Sequence, residues 1–386
     1  MYYGNHSQNW GEARNVQTSI IRSTGYWVPP NVITNDELVD SYNSYAARFN
    51  ADHMAAIAAG DIAEMPLSSA DFVQNASGIE RRHVYEKSGI LDIDHMVPRI
   101  PPREFEDIAA QAEFAMKAVR PALEKAGRKG SEIDGVIVAS SAQQRNFPGL
   151  ACEIQNLIGS EGWSFDLTMA CASALYGLHI ANGMIKSGQA KRILICSPEI
   201  MTCINVHSRR DVHFIFGDAA SAILVEADDG TPGGWEVLGT HAKNKFSNNL
   251  RSDFGFMNIA ERTVEPGYEP GLDQDGHKVF KDVVTFAPTV ARELMDELHL
   301  APEEISRAWL HQANIRMVEM ITKRILGRER TPENGPGILH EYGNTSSSSV
   351  VMNFEMHSED LNPGDTGMMC AFGAGYGVGA AAIRKR

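Results

Sequence analysis

The chain has 386 residues, of which 43% are hydrophobic and 22% charged, and its formal net charge at pH 7 is −14. This composition is typical of a folded protein with one large core or two smaller ones, and it excludes a mainly disordered chain. The acidic balance argues against nucleic-acid binding as the main function. No apolar run reaches the ~18 residues of a membrane-spanning helix, so no membrane partner is expected.

Residues 1–16 are polar and lack the apolar centre of a secretory leader, which predicts a loose N-terminal arm or a partner-contacting extension. The five cysteines form no C-x-x-C motif, and in a chain without an export signal reduced thiols are the default. We therefore expect a cytoplasmic protein. The histidines show no metal-ligand spacing, so no metal is expected.

Two stretches of the chain share one pattern. Residues 113–141 and 289–314 each read as an amphipathic helix, a short polar turn and a β-rich strand. A further helix follows in both cases, at 149–159 and 315–327. The shared order of elements predicts a duplication, although similar generic βα patterns can arise by chance.

The correspondence continues downstream. Cys171 lies 39 residues after Glu132, and Asn344 lies 40 residues after Glu304. Both positions open a segment rich in small residues with helical character, and each is followed by an apolar strand and a glycine-containing turn. The two segments should therefore be equivalent parts of two related halves.

These patterns predict an α/β layered fold of two pseudo-twofold-related halves, 17–226 and 235–386, joined by the Gly-rich linker 227–234. If the halves pack through equivalent helices, the cysteine and the asparagine face each other near the pseudo-axis. His311 ends a predicted strand of the second half, where ligand-facing residues of such sheets usually lie.

Cys171 opens the stretch "CASALYGLHIANGMI", which has helical spacing. A thiol at a helix N-terminus is close to unpaired N–H groups and the positive end of the dipole, which favours the thiolate. A buried structural cysteine is the alternative. The predicted position near the pseudo-axis favours a nucleophile.

Four segments together resemble the active-site blocks of β-ketoacyl-acyl-carrier-protein synthase III, of the thiolase superfamily: "DLTMACASALYGL", "IFGDAASAILVE", "HQANIRMV" and "YGNTSSSSV". The similarity runs from about Thr18 to the C-terminus. It implies a duplicated, five-layered αβαβα thiolase-like fold, a homodimer, and an acyltransferase of fatty acid biosynthesis. The duplicated layers of this fold agree with the repeated order of helices and strands described above.

The resemblance also implies roles for single residues. Cys171 would be the acyl-accepting nucleophile, and His311 and Asn344 would complete a Cys-His-Asn triad. The backbone N–H groups of Cys171 and Ala374 would form the oxyanion hole. After malonyl-acyl-carrier protein loses carbon dioxide, the His311 Nε2 and the Asn344 amide would donate to the enolate oxygen. The substrates would be acyl-coenzyme A and malonyl-acyl-carrier protein, and no cofactor is expected.

Six further positions match substrate-binding residues of the family: Phe72, Phe147, Arg210, Lys281, Asn314 and Arg316. The first would stack on adenine, and the second would reach across a dimer interface, unless it is an ordinary core residue. The three cations would contact coenzyme A phosphates or the carrier protein, and the asparagine would fix a catalytic turn. The basic helix from residue 314 to 330 is either a carrier-protein docking face or a solvated helix face with internal ion pairs.

Two features depart from the family pattern. Ala76 stands where members that use coenzyme A carry an arginine, so a carrier-protein donor is an alternative to acyl-coenzyme A. Residues 41–69 replace a short helix, and their apolar side chains have near-helical spacing. This insertion either caps a longer acyl tunnel or covers the surface. It favours a medium-chain acyl donor over acetyl.

Other readings of the same residues are weaker. A papain-like hydrolase lacks its cysteine signature here, and the "GAGYGVG" run is too close to the C-terminus to open a dinucleotide-binding unit. A thiolase would need Cys370 as a second catalytic cysteine, and a hydroxymethylglutaryl-coenzyme A synthase would need a glutamate base with no obvious match. A specialised-metabolite enzyme using another nucleophile would show the same triad. A non-catalytic partner subunit would usually lack it.

Overall fold

A computed structural model describes residues 17–255, 257 and 271–386. The predicted arm, 1–16, lies outside the described residues. The strands are β1 Ser19–Trp27, β2 Asn31–Thr34, β3 Arg81–Val84, β4 Gly135–Ala139, β5 Trp163–Leu167, β6 Arg192–Glu199, β7 Ala219–Ala227, β8 Trp235–Asn244, β9 Leu250–Ser252, β10 Leu272–Gln274, β11 Ile305–Leu310, β12 Thr366–Gly373 and β13 Gly377–Lys385. The helices are α1 Asn35–Asp52, α2 Met54–Ala59, α3 Ala70–Ser77, α4 Ser88–Leu91, α5 Ala110–Ala126, α6 Leu150–Ile158, α7 Ser173–Lys186, α8 Gly276–Glu297, α9 Ile315–Leu326, α10 Leu339–Tyr342 and α11 Ser348–Met356.

The predicted duplication is visible in the strand order. In the first half the order is β1-β7-β6-β4-β5, with β4 parallel to β6 and β7 antiparallel to both β6 and β1. In the second half the order is β8-β13-β12-β11, with β11 parallel to β12 and β13 antiparallel to both β12 and β8. Four strands of each half therefore repeat one topology, with β5 an additional edge strand of the first half among the described residues, and the α/β fold class is confirmed.

Helices cover the sheets in layers. Helices α5 and α6 pack on the outer face of the first sheet, and α8 and α9 cover the outer face of the second. Helices α7 and α11 lie between the sheets and contact strands of both halves. The result is the predicted αβαβα arrangement. The two sheets also meet edge to edge where Ile20 and Ile21 of β1 pair with Glu236 and Trp235 of β8.

The sequence explains these buried layers. Strands β4 and β12 are buried along their whole length, as expected for apolar strands covered on both faces. Helices α5, α6 and α9 each end at a glycine in the left-handed conformation, at Gly127, Gly159 and Gly327. The chain can therefore turn sharply at the end of each of these outer helices.

The insertion at residues 41–69 forms the second part of α1, all of α2 and a connecting loop, as its helical spacing predicts. Tyr42 is buried and stacks on His213 at 4.8 Å, whereas Met54 is 69% exposed. The insertion thus packs on the first half through α1 and leaves α2 at the surface. Within the described part of the chain, no helix is both long and apolar enough to cross a membrane.

Candidate active site

A cavity of about 740 Å³ lies where the two halves meet, and Cys171, His311 and Asn344 all line it. Most of its other walls are apolar, with contributions from Leu250 and Phe280 in the second half. Residues from motifs that lie far apart in the sequence therefore line one cavity. This volume is within the range of small-molecule binding sites.

Cys171 lies in a short 3-10 turn, Ala170–Ala172, immediately before α7. Its thiol is only partly exposed, and burial raises the pKa of Cys171 to about 12. The predicted preference for thiolate at a helix N-terminus therefore meets an opposing cost, because an apolar enclosure disfavours the charged form. Ionisation of this thiol needs a partner that takes its proton.

The C-terminal end of β12 approaches the cysteine closely. A Cβ atom on Gly373 would lie 2.7 Å from the Cys171 nitrogen and 3.1 Å from the Ala172 nitrogen. Only a residue without a side chain allows this approach. The next residue, Ala374, lines the cavity beside the cysteine. The two backbone segments predicted to form the oxyanion hole are therefore adjacent.

His311 follows β11 and is fully buried, with its ring packed edge-on against Phe372 at 5.1 Å. Burial lowers the pKa of His311 to about 3, so the imidazole is neutral at physiological pH. Its Nδ1 lies 2.7 Å from Ser349 Oγ. That hydroxyl donates to Ser346 O and accepts from the Gln312 N–H.

Because the Ser349 hydroxyl has one proton and uses it on Ser346 O, the proton between Ser349 and His311 belongs to Nδ1 in this arrangement. Nε2 then carries a lone pair. The predicted donation from Nε2 requires the other tautomer, in which Ser349 turns its proton to Nδ1. The serine therefore controls which ring nitrogen of the histidine can donate.

Asn344 is held by the first half of the molecule. Its N–H donates to Ile215 O at 3.0 Å, and its carbonyl accepts from the Gly217 N–H at 3.1 Å, across a parallel bridge with Phe216. The side-chain Oδ1 accepts from the Ser346 N–H at 2.9 Å. This bond fixes the amide orientation and leaves Nδ2 as the donor of the side chain.

Comparisons with known proteins agree with this geometry. The 3-oxoacyl-[acyl-carrier-protein (ACP)] synthase III model matches residues 165–245, and the model of its C-terminal domain matches residues 295–385. A β-ketodecanoyl-[acyl-carrier-protein] synthase of Pseudomonas aeruginosa is 42% identical over 354 residues, which cover 90% of this chain and 100% of the relative. The chain belongs to the β-ketoacyl-acyl-carrier-protein synthase III family.

A second relative, the β-ketoacyl-[acyl-carrier-protein] synthase III of Thioalkalivibrio sulfidiphilus, is 29% identical over 84% of this chain and 93% of its own. The crystal structure of 3-oxoacyl-[acyl-carrier-protein] synthase III from Aquifex aeolicus has a TM-score of 0.73 and 25% identity, covering 95% of this chain and 99% of that one. The protein is thus a condensing enzyme of the synthase III type, an acyltransferase of the thiolase fold.

Of the two predicted substrate-binding residues Phe72 and Arg210, the first lines the cavity and the second does not. The guanidinium of Arg210 lies 3.7 Å from the centre of the Phe72 ring, and its Nε donates to Leu67 O at 2.8 Å. A cation therefore lies against the Phe72 ring, although none stands at Ala76 itself. Residues 41–69 do not line the cavity, so the insertion is not a cap of this space.

The other predicted substrate-binding residues separate into two groups. Arg316 is exposed and lines the cavity, and Asn314 caps α9 by accepting from the Arg316 N–H while its Nδ2 donates to Ala76 O. Lys281 is exposed on α8 and does not line the cavity. Phe147 is 84% exposed and also lies outside it, so this residue is no part of the core of its own chain.

A cluster of polar residues beside the cysteine was missed by the sequence analysis. Glu199, at the end of β6, is fully buried and accepts hydrogen bonds from Ser140, Ser141 and Ser347. Two sequence features could have indicated this polar cluster. One is the glutamate at the end of an apolar strand, and the other is the run of four serines shortly after Asn344. The described residues form no group of three or more His, Cys, Asp or Glu side chains suited to a metal ion.

Proposed function

We propose that this enzyme accepts a medium-chain acyl group from acyl-coenzyme A on Cys171 and condenses it with malonyl-acyl-carrier protein. The observation that carries the proposal is the large apolar cavity around Cys171, His311 and Asn344. The name of the Pseudomonas aeruginosa relative supports the chain length. Since malonyl groups contribute two carbons after decarboxylation, a ten-carbon product requires an eight-carbon donor.

In the first step the Cys171 thiolate attacks the thioester carbonyl of the donor. The tetrahedral oxyanion accepts hydrogen bonds from the N–H groups of Cys171 and Ala374. The close approach at Gly373 supports this pairing, because it brings the two backbone segments together. Coenzyme A leaves, and the acyl group remains on the enzyme.

In the second step malonyl-acyl-carrier protein loses carbon dioxide and leaves an enolate. Its oxygen accepts from Asn344 Nδ2 and from His311 Nε2, once Ser349 donates to Nδ1. Each preorganised donor of this kind contributes about 2.7–4 kcal/mol to stabilising the transition state. The enolate carbon then attacks the acyl-cysteine and releases the β-ketoacyl product. No metal or redox cofactor takes part.

We also propose a cytoplasmic homodimer in which Phe147 lines the acyl pocket of the second copy. Phe147 and Phe165 are exposed in the single chain at 84% and 37%, and β5 is the edge strand of its sheet. An exposed edge strand with apolar neighbours is a surface that a second copy can cover. Sedimentation equilibrium would test the dimer, and Phe147→Asp should weaken it.

The acyl carrier protein docks at the start of α9. Arg316 is exposed at the cavity, whereas Lys323 pairs with Glu329 and Arg324 donates to Val284 O. Further along, Arg328 donates to backbone carbonyls. The later cations are therefore used within the chain, which favours Arg316 as the contact for an acidic carrier protein.

Intact-protein mass spectrometry after incubation with acetyl-, octanoyl- or lauroyl-coenzyme A tests the donor. We expect an octanoyl adduct that is absent in Cys171→Ala and discharged by malonyl-acyl-carrier protein. Cys152→Ala, which removes an exposed cysteine on α6, is the matched control and should keep the adduct. An acetyl adduct alone would overturn the medium-chain assignment. An adduct only from octanoyl-acyl-carrier protein would overturn the coenzyme A donor.

A further inference from the structure

One peptide unit connects the histidine of the active site to the first half of the molecule. It joins Ser346 to Ser347. Its carbonyl oxygen, on Ser346, accepts from the Ser349 hydroxyl at 2.7 Å, and Ser349 Oγ lies 2.7 Å from His311 Nδ1. Its N–H group, on Ser347, donates to Glu199 Oε1 at 3.3 Å. Because the N–H and C=O groups of a trans peptide point in opposite directions, Glu199 holds one side of this peptide and Ser349 contacts the other.

The N–H group of Ser346 orients the second donor of the site. It donates to Asn344 Oδ1 at 2.9 Å, which leaves Nδ2 as the donor of that side chain. Ser346 itself has a φ of +48°, in the left-handed region that residues with a side chain rarely adopt. Such a conformation costs on the order of 1–3 kcal/mol and persists where surrounding contacts determine it. The orientation of both donors therefore depends on the contacts that hold residues 346 and 347.

Glu199 supplies the contact from the first half. Besides the N–H of Ser347, the hydroxyl of that serine also donates to Glu199 Oε1. On the other side, the carboxylate accepts from the Ser141 N–H at 3.0 Å and from the Ser141 hydroxyl at 3.2 Å. An ionised carboxylate only accepts hydrogen bonds, so it can take all of these donors at once. Glu199 thus bridges the segment after β4 and the turn 344–349 of the second half.

The bridge contains no opposite charge. Among the described residues, the hydrogen-bond donors to Glu199 are Ser140, Ser141 and Ser347, and no basic side chain forms an ion pair with it. Burial raises the pKa of Glu199 to about 7, and the serine donors oppose that rise. If an apolar side chain replaced the carboxylate, the fully buried Ser347 N–H would lose its acceptor. An unpaired group of this kind costs about 1–3 kcal/mol, so the peptide would rotate to find another partner.

We propose that Glu199 is a positioning residue for the condensation step. By accepting from the N–H between residues 346 and 347, it fixes the direction in which the opposite carbonyl points. The Ser349 proton goes either to this carbonyl or to His311 Nδ1, so that direction affects which ring nitrogen of the histidine can donate. The same contact holds the backbone that orients the Asn344 amide. The inference rests on the proposed function, because an enolate oxygen must form between the two donors.

The acylation step should not depend on this contact. Glu199 does not line the cavity, and its hydrogen bonds go to serines rather than to Cys171 or to the segment 373–374. Removing its negative charge nevertheless changes the field at the buried thiol. Variants that are compared with each other must therefore carry the same charge.

Glu199→Gln and Glu199→Leu are such a pair: both are neutral, but only the first keeps an oxygen that accepts from the Ser347 N–H. The enzyme is acylated with octanoyl-coenzyme A at pH 8, where the wild-type carboxylate is ionised, and malonyl-acyl-carrier protein is then added under rapid quench. We expect Glu199→Leu to condense about 10²-fold more slowly than Glu199→Gln, as is typical of a displaced group near the reacting atoms. The two variants should acylate at equal rates, and Glu199→Gln should condense at close to the wild-type rate.

Ser347→Ala tests the same contact in case the apolar variant does not fold. It removes the hydroxyl that donates to Glu199 and keeps the N–H. We expect condensation to slow about tenfold, the effect of about one hydrogen bond to a charged group, with acylation unchanged. Ser140→Ala is the matched control, because it removes a hydroxyl 3.3 Å from Glu199 Oε2 and leaves the bonds of the turn in place. It should condense at the wild-type rate.

Hydrogen exchange, measured by mass spectrometry on peptides covering residues 344–349, tests the contact without any substrate. Exchange should be faster in Glu199→Leu than in Glu199→Gln. Equal condensation rates in these two variants, an equal loss of acylation and condensation in Glu199→Leu, or equal exchange would each overturn the inference. Failure of the proposed function looks different. In that case the wild type forms no β-ketoacyl product from malonyl-acyl-carrier protein, while hydrogen exchange still separates the two variants.

Discussion

The two halves of the molecule use equivalent helices for different purposes. Cys171 lies directly before α7 and is partly exposed to the cavity, whereas Asn344 lies shortly before α11 and is buried, as is His311. In the proposed reaction, the first half presents a nucleophile that a bulky thioester must reach. The second half presents hydrogen-bond donors that act best where water is excluded. One duplicated scaffold thus supplies an accessible position and an enclosed one.

The largest effect is expected from removing the accessible nucleophile of the first half. Cys171→Ala should abolish acyl transfer from every thioester donor, because Cys171 is the cysteine that lines the cavity among the described residues. The measurement is formation of β-ketoacyl product together with the mass of the protein. Acyl adduct that persists at wild-type level in this variant would place the nucleophile elsewhere.

Removing one of the buried hydrogen-bond donors of the second half should slow condensation but not acylation. Asn344→Ala should leave acylation of Cys171 close to wild type and lower the rate of condensation by about 10²–10³-fold, since one donor to the enolate oxygen is lost. Rapid-quench measurement of the acyl-enzyme, followed by addition of malonyl-acyl-carrier protein, resolves the two rates. An equal loss in both steps would show that the halves do not divide the chemistry in this way.

The contact between the halves can be tested at Gly373. In Gly373→Ala the added methyl group would meet the Cys171 nitrogen at 2.7 Å, so the glycine turn must move. We expect acylation to slow by about 10²-fold, as is typical of a displacement near the reacting atoms. Gly183→Ala on α7 is the control, because its Cβ meets nothing within 4 Å. Equal acylation rates in the two variants would contradict the close approach.

The smallest effect is expected at the contact of Phe72 with Arg210, which both belong to the first half. Arg210→Ala removes the guanidinium over Phe72 and should raise the KM for acyl-coenzyme A about two- to fivefold, with kcat unchanged, in line with a partly exposed cation–π contact. Steady-state kinetics with octanoyl-coenzyme A measure this. Arg209→Ala is the neighbouring control, since that residue pairs with Asp211 and Asp273. A change in kcat alone would contradict a role in binding.

The duplicated fold could be predicted because it depends on local patterns. Apolar runs, helix periodicity and glycine turns recur in the same order in both halves, and each element forms from residues close in sequence. Cys171, His311 and Asn344 were identified by short motifs around them, and the structure places all three on one cavity. Their catalytic roles remain predictions.

Contacts between distant residues could not be predicted in this way. Arg210 places a cation against Phe72, and it reaches this ring from far along the chain. Likewise, the bonds of Glu199 to Ser141 and Ser347 depend on how the halves pack. Lys281 matched a substrate-binding position of the family. On α8, however, its neighbour Phe280 lines the cavity and Lys281 does not. Sequence position along a helix was not enough to fix which side chain faces the site.

The position of β1 has a consequence for biosynthesis. This first described strand pairs with β7 along almost its whole length, and with β8 at Ile20 and Ile21. Its partners are translated roughly 200 residues later, so the emerging chain must keep an apolar edge unpaired until both have been made. β7 belongs to the first half, but β8 and the inner helix α11, which packs on β1 and β7, come from the second, so the first half stays incomplete until the second is made. We expect a fragment ending at residue 226 to aggregate when expressed alone, and co-expression with 235–386 to restore solubility only in part.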